Sequence, residues 1–354
     1  MTLTGRRIRR SARCALFAST LVLSQAAHAS SLVSRPTSVQ QYVWRSGTAA
    51  AQGTIVADSF WSQALGIRKH LRLWLPPSYA AEPMRRFPVA YYLHGAWGSE
   101  ADWSTLGGLP ATFDSLTIAG MPEMIVVMPD GDDGWYTTWN FLGDWPGCRR
   151  KPPRAGESPE RYCVPWPHYD DYIARDLVSY IDRTYRTRAD RVHRGIAGLS
   201  MGGYGAVSLS LSYPDVFAAA FSHSGVVAPL LGEGTSGEGD YAQNIEDLRG
   251  RYSPALWALM KPAFGKDIAA WAARDPVRLL RALLDRHVAG APAIALDCGK
   301  DDRFVAQNRY FVRAAAQAGF PVTYTEWPGA HTWEYWRAHL AESARWLASH
   351  IGTD

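Results

Sequence analysis

The chain has 354 residues, 47% hydrophobic and 20% charged, an ordinary globular balance that excludes a wholly disordered or collagen-like polypeptide. Its formal charge of +4 misleads: Arg6, Arg7, Arg9, Arg10 and Arg13 lie before residue 30 with no acidic residue among them, and without them the charge is −1. A near-neutral body argues against nucleic acid or an anionic membrane surface as a partner. Those arginines form a positive n-region. A short, mostly apolar run over 15–23 and the small-x-small site Ala27-His28-Ala29 follow, so residues 1–29 read as a cleaved secretory signal peptide and the mature protein as secreted or periplasmic. The run is well short of the roughly 20 apolar residues a membrane span needs, and no later segment is long and apolar enough to supply one.

Residues 30–52 are Ser/Thr/Ala/Gln-rich and read as a lead-in segment. From Gly53 the pattern turns strand-like, with alternation over 70–75 stopped by Pro76-Pro77. The runs 88–93 and 123–128 are apolar without alternation, which suits strands covered on both faces. Helical spacing appears over 172–185, with Ile173, Leu177, Val178 and Ile181 on one side. A strand is predicted over 195–199, a helix over 202–213 and a strand over 217–221. Residues 226–290 then interrupt the alternation with a Gly/Glu/Ser-rich stretch and helical pieces over 267–273 and 277–284, and read as an inserted lid beside a cleft. A strand at 293–296, a helix at 308–318, a strand at 322–326 and a last helix at 333–351 complete a doubly wound α/β domain over 53–354, with its functional end at the carboxyl ends of the strands.

Export changes how the cysteines read. Cys148 and Cys163 bracket a Pro/Arg/Gly-rich stretch with too little apolar content to hold itself in place, and a disulfide closing a loop of about 15 residues would contribute on the order of 3 kcal/mol. Cys298 ends an apolar run and reads as a buried small hydrophobe. No Cys/His spacing suits a structural zinc. Residues 130–134, Asp-Gly-Asp-Asp-Gly, are faintly like a calcium loop but carry Gly134 where an oxygen ligand belongs; they read as a polar turn at the cleft rim, and neither metal nor cofactor is expected.

The strongest chemical signal is Gly198-Leu199-Ser200-Met201-Gly202, lying between a predicted strand and a predicted helix. A serine on so tight a turn presents its hydroxyl at the cleft, and the helix N-terminus faces the oxygen that becomes negative during acyl transfer. The hydroxyl needs a base. Of the ten histidines, His331 sits in a loop just after the last strand, whereas His339 and His350 lie inside the last helix and His287 in the insertion. His223, at the end of the strand after the elbow helix, reads as a pocket-lining residue. The orienting acid is sought after the strand at 293–296, among Asp297, Asp301 and Asp302; Asp302, beyond the Gly299 turn, is favoured, with Asp301 the rival. The backbone N–H groups of Met201 and Ala96 are the expected oxyanion donors. His94 reads as a residue that fixes the Ala96 loop. Of the 15 tryptophans, Trp97, Trp103, Trp135, Trp139, Trp145, Trp166, Trp333 and Trp336 fall in or near loops that should ring the cleft. Trp97, Trp135, Trp139 and Trp333, with His223, are the expected substrate contacts.

Five blocks, His94-Gly95-Ala96-Trp97-Gly98, Pro129-Asp130-Gly131, Gly198 to Ala206, Gly299-Lys300-Asp301-Asp302 and Gly329-Ala330-His331-Thr332-Trp333, come in an order that resembles the esterase D/tributyrin esterase group of α/β hydrolases. That group includes feruloyl and acetyl-xylan esterases and mycolyltransferases. The resemblance runs from about residue 53 to the C-terminus. It implies an α/β-hydrolase fold with a mostly parallel sheet, Ser200 as nucleophile, His331 as base, Asp302 as acid, and oxyanion donors on Ala96 and Met201. The function it implies is an exported serine carboxylesterase acting on a small-molecule or glycan ester; the alternatives are acyl transfer to a sugar or lipid hydroxyl, and a non-catalytic carbohydrate-binding module. S-formylglutathione hydrolases share the blocks, but their substrate is cytosolic and this chain reads as exported.

Overall fold

Eight strands form one sheet in the order β1-β2-β4-β3-β5-β6-β7-β8. They are β1 (Thr54–Ser62), β2 (Ile67–Leu75), β3 (Val89–Leu93), β4 (Ile125–Pro129), β5 (Arg194–Leu199), β6 (Ala219–His223), β7 (Ala293–Gly299) and β8 (Val322–Trp327). The β1–β2 and β2–β4 pairs are antiparallel and every other pair is parallel. The computed structural model describes residues 52–139, 145–150, 158–159, 163–234, 240–287 and 290–352, all within one compact unit, Thr48–Asp354. The expected signal peptide and nearly all of the lead-in segment lie outside the described residues.

The unalternating strands are buried throughout because both sheet faces are covered. Along β3, Val89, Tyr91 and Leu93 join one core, while Ala90 and Tyr92 join the other. Helices α1 (Leu109–Ile118) and α9 (Trp333–Ile351), numbered among the longer helices, pack on the second face. Helices α2 (Val178–Thr184) and α3 (Met201–Ser212) cover the first. Chain order thus sets which helix lands on which face.

Two expectations need correction. β6 begins at Ala219 and β7 runs on to Gly299, because pairing with the neighbouring strands continues to their carboxyl ends. The helix expected over 172–185 is interrupted by a π-helical stretch, Tyr172–Leu177. It accompanies two tyrosines fastened to one turn: Tyr169 O–H donates to Asp132 Oδ2 at 2.7 Å and Tyr172 O–H to the Asp130 carbonyl at 3.0 Å. The insertion over 226–290, expected as a lid beside the cleft, also contributes a layer to the main core. Its helices α4 (Ile245–Gly250), α5 (Pro254–Phe264), α6 (Ile268–Ala272) and α7 (Pro276–Asp285) place Leu248, Met260, Phe264, Trp271, Leu280 and Leu283 in that core. Side-chain oxygens of Asn244, Asp267 and Asp275 cap three of these helices. Helix α8 (Val305–Gln317) follows β7.

Cys148 and Cys163 are joined, with Cα atoms 5.7 Å apart. Cys298 is a buried thiol that burial pushes well above its usual pKa, which keeps it unreactive. Among the described residues no helix is long and apolar enough to cross a membrane.

Candidate active site

β5 is buried along its whole length and ends at Leu199; Ser200 follows, and α3 departs from it at once. Ser200 has φ +54° and ψ −114°, a backbone state that costs a side-chain-bearing residue about 1–3 kcal/mol. Its neighbours explain the glycines. A Cβ on Gly198 would lie 2.3 Å from the Gly202 carbonyl oxygen, and one on Gly202 would lie 2.3 Å from that of Leu93. The strained turn is held by Ser200 N–H donating to the His223 carbonyl at 2.9 Å and by Tyr204 N–H donating to the Ser200 carbonyl at 3.0 Å.

A second turn delivers the imidazole and its acid. The loops after β7 and β8 meet backbone to backbone: Lys300 N–H donates to the Trp327 carbonyl at 2.9 Å and Asp301 N–H to that of Gly329 at 3.0 Å. Gly299 is needed there, since a Cβ would sit 2.3 Å from the Gly329 carbonyl oxygen. Asp302 is thereby turned inward and fully buried, while Asp301 is exposed. Asp302 oxygens lie 2.9 and 3.1 Å from His331 Nδ1, and His331 Nε2 lies 2.9 Å from Ser200 Oγ. A carboxylate only accepts, so Nδ1 carries the proton and Nε2 is left to take the one on Ser200. Phe304 and Trp336 meet the imidazole edge-on from two directions, with centroids 5.0 and 4.9 Å away. The third acid, Asp297, is engaged elsewhere, 2.8 Å from His223 Nδ1.

The loop over 94–98 follows β3. Its Gly95 carbonyl accepts from His94 Nδ1 at 2.7 Å and from Gly98 N–H at 3.1 Å, and Trp97 N–H donates to Asp133 at 2.6 Å. Beneath it lies the turn over 130–136. Asp130, Asp132 and Asp133 are buried, which corrects their expected place on the rim, and the Lys69 ammonium lies 3.1 Å from Asp130 and 2.8 Å from Asp132. Burial works against both charged forms. The opposing charge outweighs it, raising Lys69 above its usual value and holding Asp130 well below the carboxylate range. Lys69 went unnoticed in the sequence. The available signal was its phase: it is buried in β2 together with Ile67, Leu71 and Leu73.

The cleft over Ser200 encloses about 220 Å³ and is walled by Ala96, Trp97, Leu256, Phe304, Trp333 and Trp336, with Asp102 and Arg303 as its charged lining beside His331. Trp97 and Trp333 therefore stand where substrate contacts were expected, and Trp97 is 56% exposed. Other expected contacts stand elsewhere. Trp135, at φ +55°, is fully buried against Tyr204 and Phe264. His223 is also fully buried, between Phe221 and Trp103. Trp139 rests on Tyr169 and donates to the Gly134 carbonyl at 3.0 Å, away from the cleft. Among the described residues that line the cleft, Leu256 comes from the insertion.

A mostly parallel sheet whose fifth strand ends in a strained serine elbow, with a histidine and an aspartate delivered by the last two strand ends, defines an α/β hydrolase. Within that class the Esterase family model, described as "Putative esterase", matches residues 62–347, and the chain belongs to that family. Among curated relatives, Esterase Rv1288 of Mycobacterium tuberculosis is 29% identical over 77% of this chain and 54% of its own length. The chain thus spans about half the length of that relative. An acetyl esterase of Caldicellulosiruptor saccharolyticus is 24% identical over 73% of this chain and 82% of its own. A solved ferulic acid esterase superposes with a TM-score of 0.57 at 26% identity, covering 85% of this chain and 99% of the other.

Proposed function

We propose that the protein is an exported serine carboxylesterase acting on short-chain acyl or carbohydrate and aromatic esters. The observation that carries this reading is the continuous hydrogen-bonded path from the buried Asp302 carboxylate through His331 to the Ser200 hydroxyl, each link 2.9 Å. His331 Nε2 takes the hydroxyl proton as Oγ attacks the ester carbonyl. The oxyanion forms under the Ala96 and Met201 N–H groups at the start of α3, where each donor contributes roughly 2.7–4 kcal/mol to the barrier. The carbonyl–alkoxy bond breaks, the alcohol leaves with the proton from His331, and an acyl-Ser200 ester remains. His331 then deprotonates a water that releases the acid. Asp302 keeps the imidazole in the required tautomer and stabilises its charged form.

A cleft of about 220 Å³ is smaller than the roughly 300–1,000 Å³ typical of ligand sites, which favours a compact acyl group. The family membership and the acetyl and ferulic acid esterase relatives support ester chemistry. The Cys148–Cys163 bridge supports an oxidising compartment, in keeping with removal of residues 1–29 on export and a catalytic domain over 53–354. The test is labelling with a fluorophosphonate alongside turnover of p-nitrophenyl acetate and butyrate. One label per chain, on Ser200, and loss of both labelling and turnover in Ser200→Ala are expected. A folded, unlabelled wild-type chain would favour a binding module instead.

A further inference from the structure

We infer that Asp133 is a positioning residue for the oxyanion loop. It acts from a turn braced by a buried ammonium two strands away in chain order. The inference rests on the reading of Ser200 as nucleophile and Ala96 N–H as oxyanion donor given above, and extends it to how that donor is aimed.

Ala96 belongs to two peptide planes. In a trans peptide the carbonyl and the following N–H point in opposite directions, so whatever holds the Gly95 carbonyl aims the Ala96 N–H. Two donors hold it, His94 Nδ1 at 2.7 Å and Gly98 N–H at 3.1 Å. The next plane is held through Trp97 N–H, which donates to Asp133 at 2.6 Å. Trp97 has φ +61°, a state that persists in a side-chain-bearing residue only when its surroundings impose it. Without Asp133, relaxation of Trp97 would rotate the 96–97 plane and loosen Ala96.

Apart from the Gly98 bond, these restraints lead back to the turn over 130–136. Gly131 N–H donates to His94 Nε2 at 2.8 Å, which leaves the ring's one proton on Nδ1, facing Gly95. Tyr136 O–H donates to the His94 carbonyl at 3.1 Å. The turn is itself strained, with Asp132, Trp135 and Tyr136 all at positive φ, and the Lys69 ammonium, the Asp130 and Asp132 carboxylates and the Tyr169 hydroxyl pin it. The turn thus serves as a mould for the loop, and Asp133 is its direct contact with the Trp97 N–H.

The experiment measures kcat and KM on p-nitrophenyl acetate for the mature chain carrying Asp133→Ala and Asp133→Asn. A boronic acid that mimics the tetrahedral adduct is used as inhibitor. Asp133→Ala should lower kcat on the order of 10²-fold, the size of losing one oxyanion donor. KM should stay within about threefold, and inhibitor affinity should fall in parallel with kcat. Asp133→Asn keeps a carbonyl oxygen for Trp97 N–H and should recover most of the activity. Should Asp133→Ala not fold, Asp133→Ser, whose hydroxyl is too short to reach, carries the same expectation. Turnover surviving in Ser200→Ala overturns the esterase reading and this inference with it. Ser200-dependent turnover that Asp133→Ala leaves within threefold, or an equal loss in the Ala and Asn variants, overturns this inference alone.

Discussion

Two histidine–aspartate pairs hydrogen-bonded through Nδ1 stand at the carboxyl ends of β6, β7 and β8, and they differ in what the far ring nitrogen meets. His223 and Asp297 are register partners on β6 and β7, joined at 2.8 Å and both buried. His331 and Asp302 are joined at 2.9 Å across two loops. His331 Nε2 faces Ser200 Oγ and a cleft, whereas His223 Nε2 has no hydrogen-bond partner among the described residues. An imidazole oriented by a carboxylate is therefore not enough to mark a reactive centre. Strand register makes one pair inside the core, and loop packing makes the other beside the elbow. The buried pair still touches the elbow indirectly, since the His223 carbonyl accepts the Ser200 N–H.

The sharpest way to break this comparison is to neutralise each acid. Asp302→Asn should lower kcat on the order of 10⁴-fold with stability little changed, because the amide favours the wrong tautomer. Asp297→Asn should leave kcat within tenfold. Its cost belongs to the core, about 1–3 kcal/mol, visible as a lower Tm. A larger activity loss in Asp297→Asn than in Asp302→Asn would reverse the assignment of the two pairs.

Next in size are changes that attack the scaffold around them. Lys69→Met strands two buried carboxylates and should cost about 3–5 kcal/mol in denaturant unfolding; a neutral outcome would mean the turn needs no counter-charge. Trp135→Ala should cost a similar amount, about 3–5 kcal/mol; Trp333→Ala, whose ring lines the cleft and is only partly buried against Trp103 and Trp336, should change KM for bulky esters and lower Tm by less. Equal effects in the two variants would contradict their different burial.

The smallest effect is set by pH. Arg309 makes two 2.7 Å contacts with Glu326, and these hydrogen bonds hold the carboxyl below its usual value. A folded-state pKa that is depressed adds stability above the unfolded value and loses it as pH falls through the folded one. The pair is partly exposed, so Glu326→Gln should cost no more than about 1 kcal/mol at pH 7. The gap from wild type should close below pH about 4 in thermal unfolding; a constant gap would remove the charge from the explanation.

Much of this was legible in the residues. Gly198 to Gly202 between an apolar strand and a helix announced the elbow, and the chain order of Ser200, Asp302 and His331 matched a known architecture. What pattern could not supply was direction. Trp135 and Trp97 both sit in loops beside glycines, yet one is fully buried and the other 56% exposed. Their φ angles are nearly the same, +61° at Trp97 and +55° at Trp135; what separates them is that Trp135 has Tyr204 and Phe264 to pack against, partners that local pattern does not reveal. Asp302 was already favoured over Asp301 in the sequence; the contact between the Gly299 and Gly329 backbones adds a physical reason why one is turned inward and the other is exposed. Lys69 was hidden for the opposite reason: it occupies a position in β2 that the alternation reserves for apolar side chains, and only its partners on β4's exit turn make sense of it.

The β1–β2 hairpin also bears on how the polypeptide can be rewired. From residue 69 it supplies a charge to the turn after its neighbour β4, long before the elbow is synthesised. Split-enzyme fragments or circular permutants that separate this hairpin from the segment ending in Asp132 would have to reassemble that ion cluster before any activity returned. New termini belong instead in surface connections that leave both pieces on the same fragment.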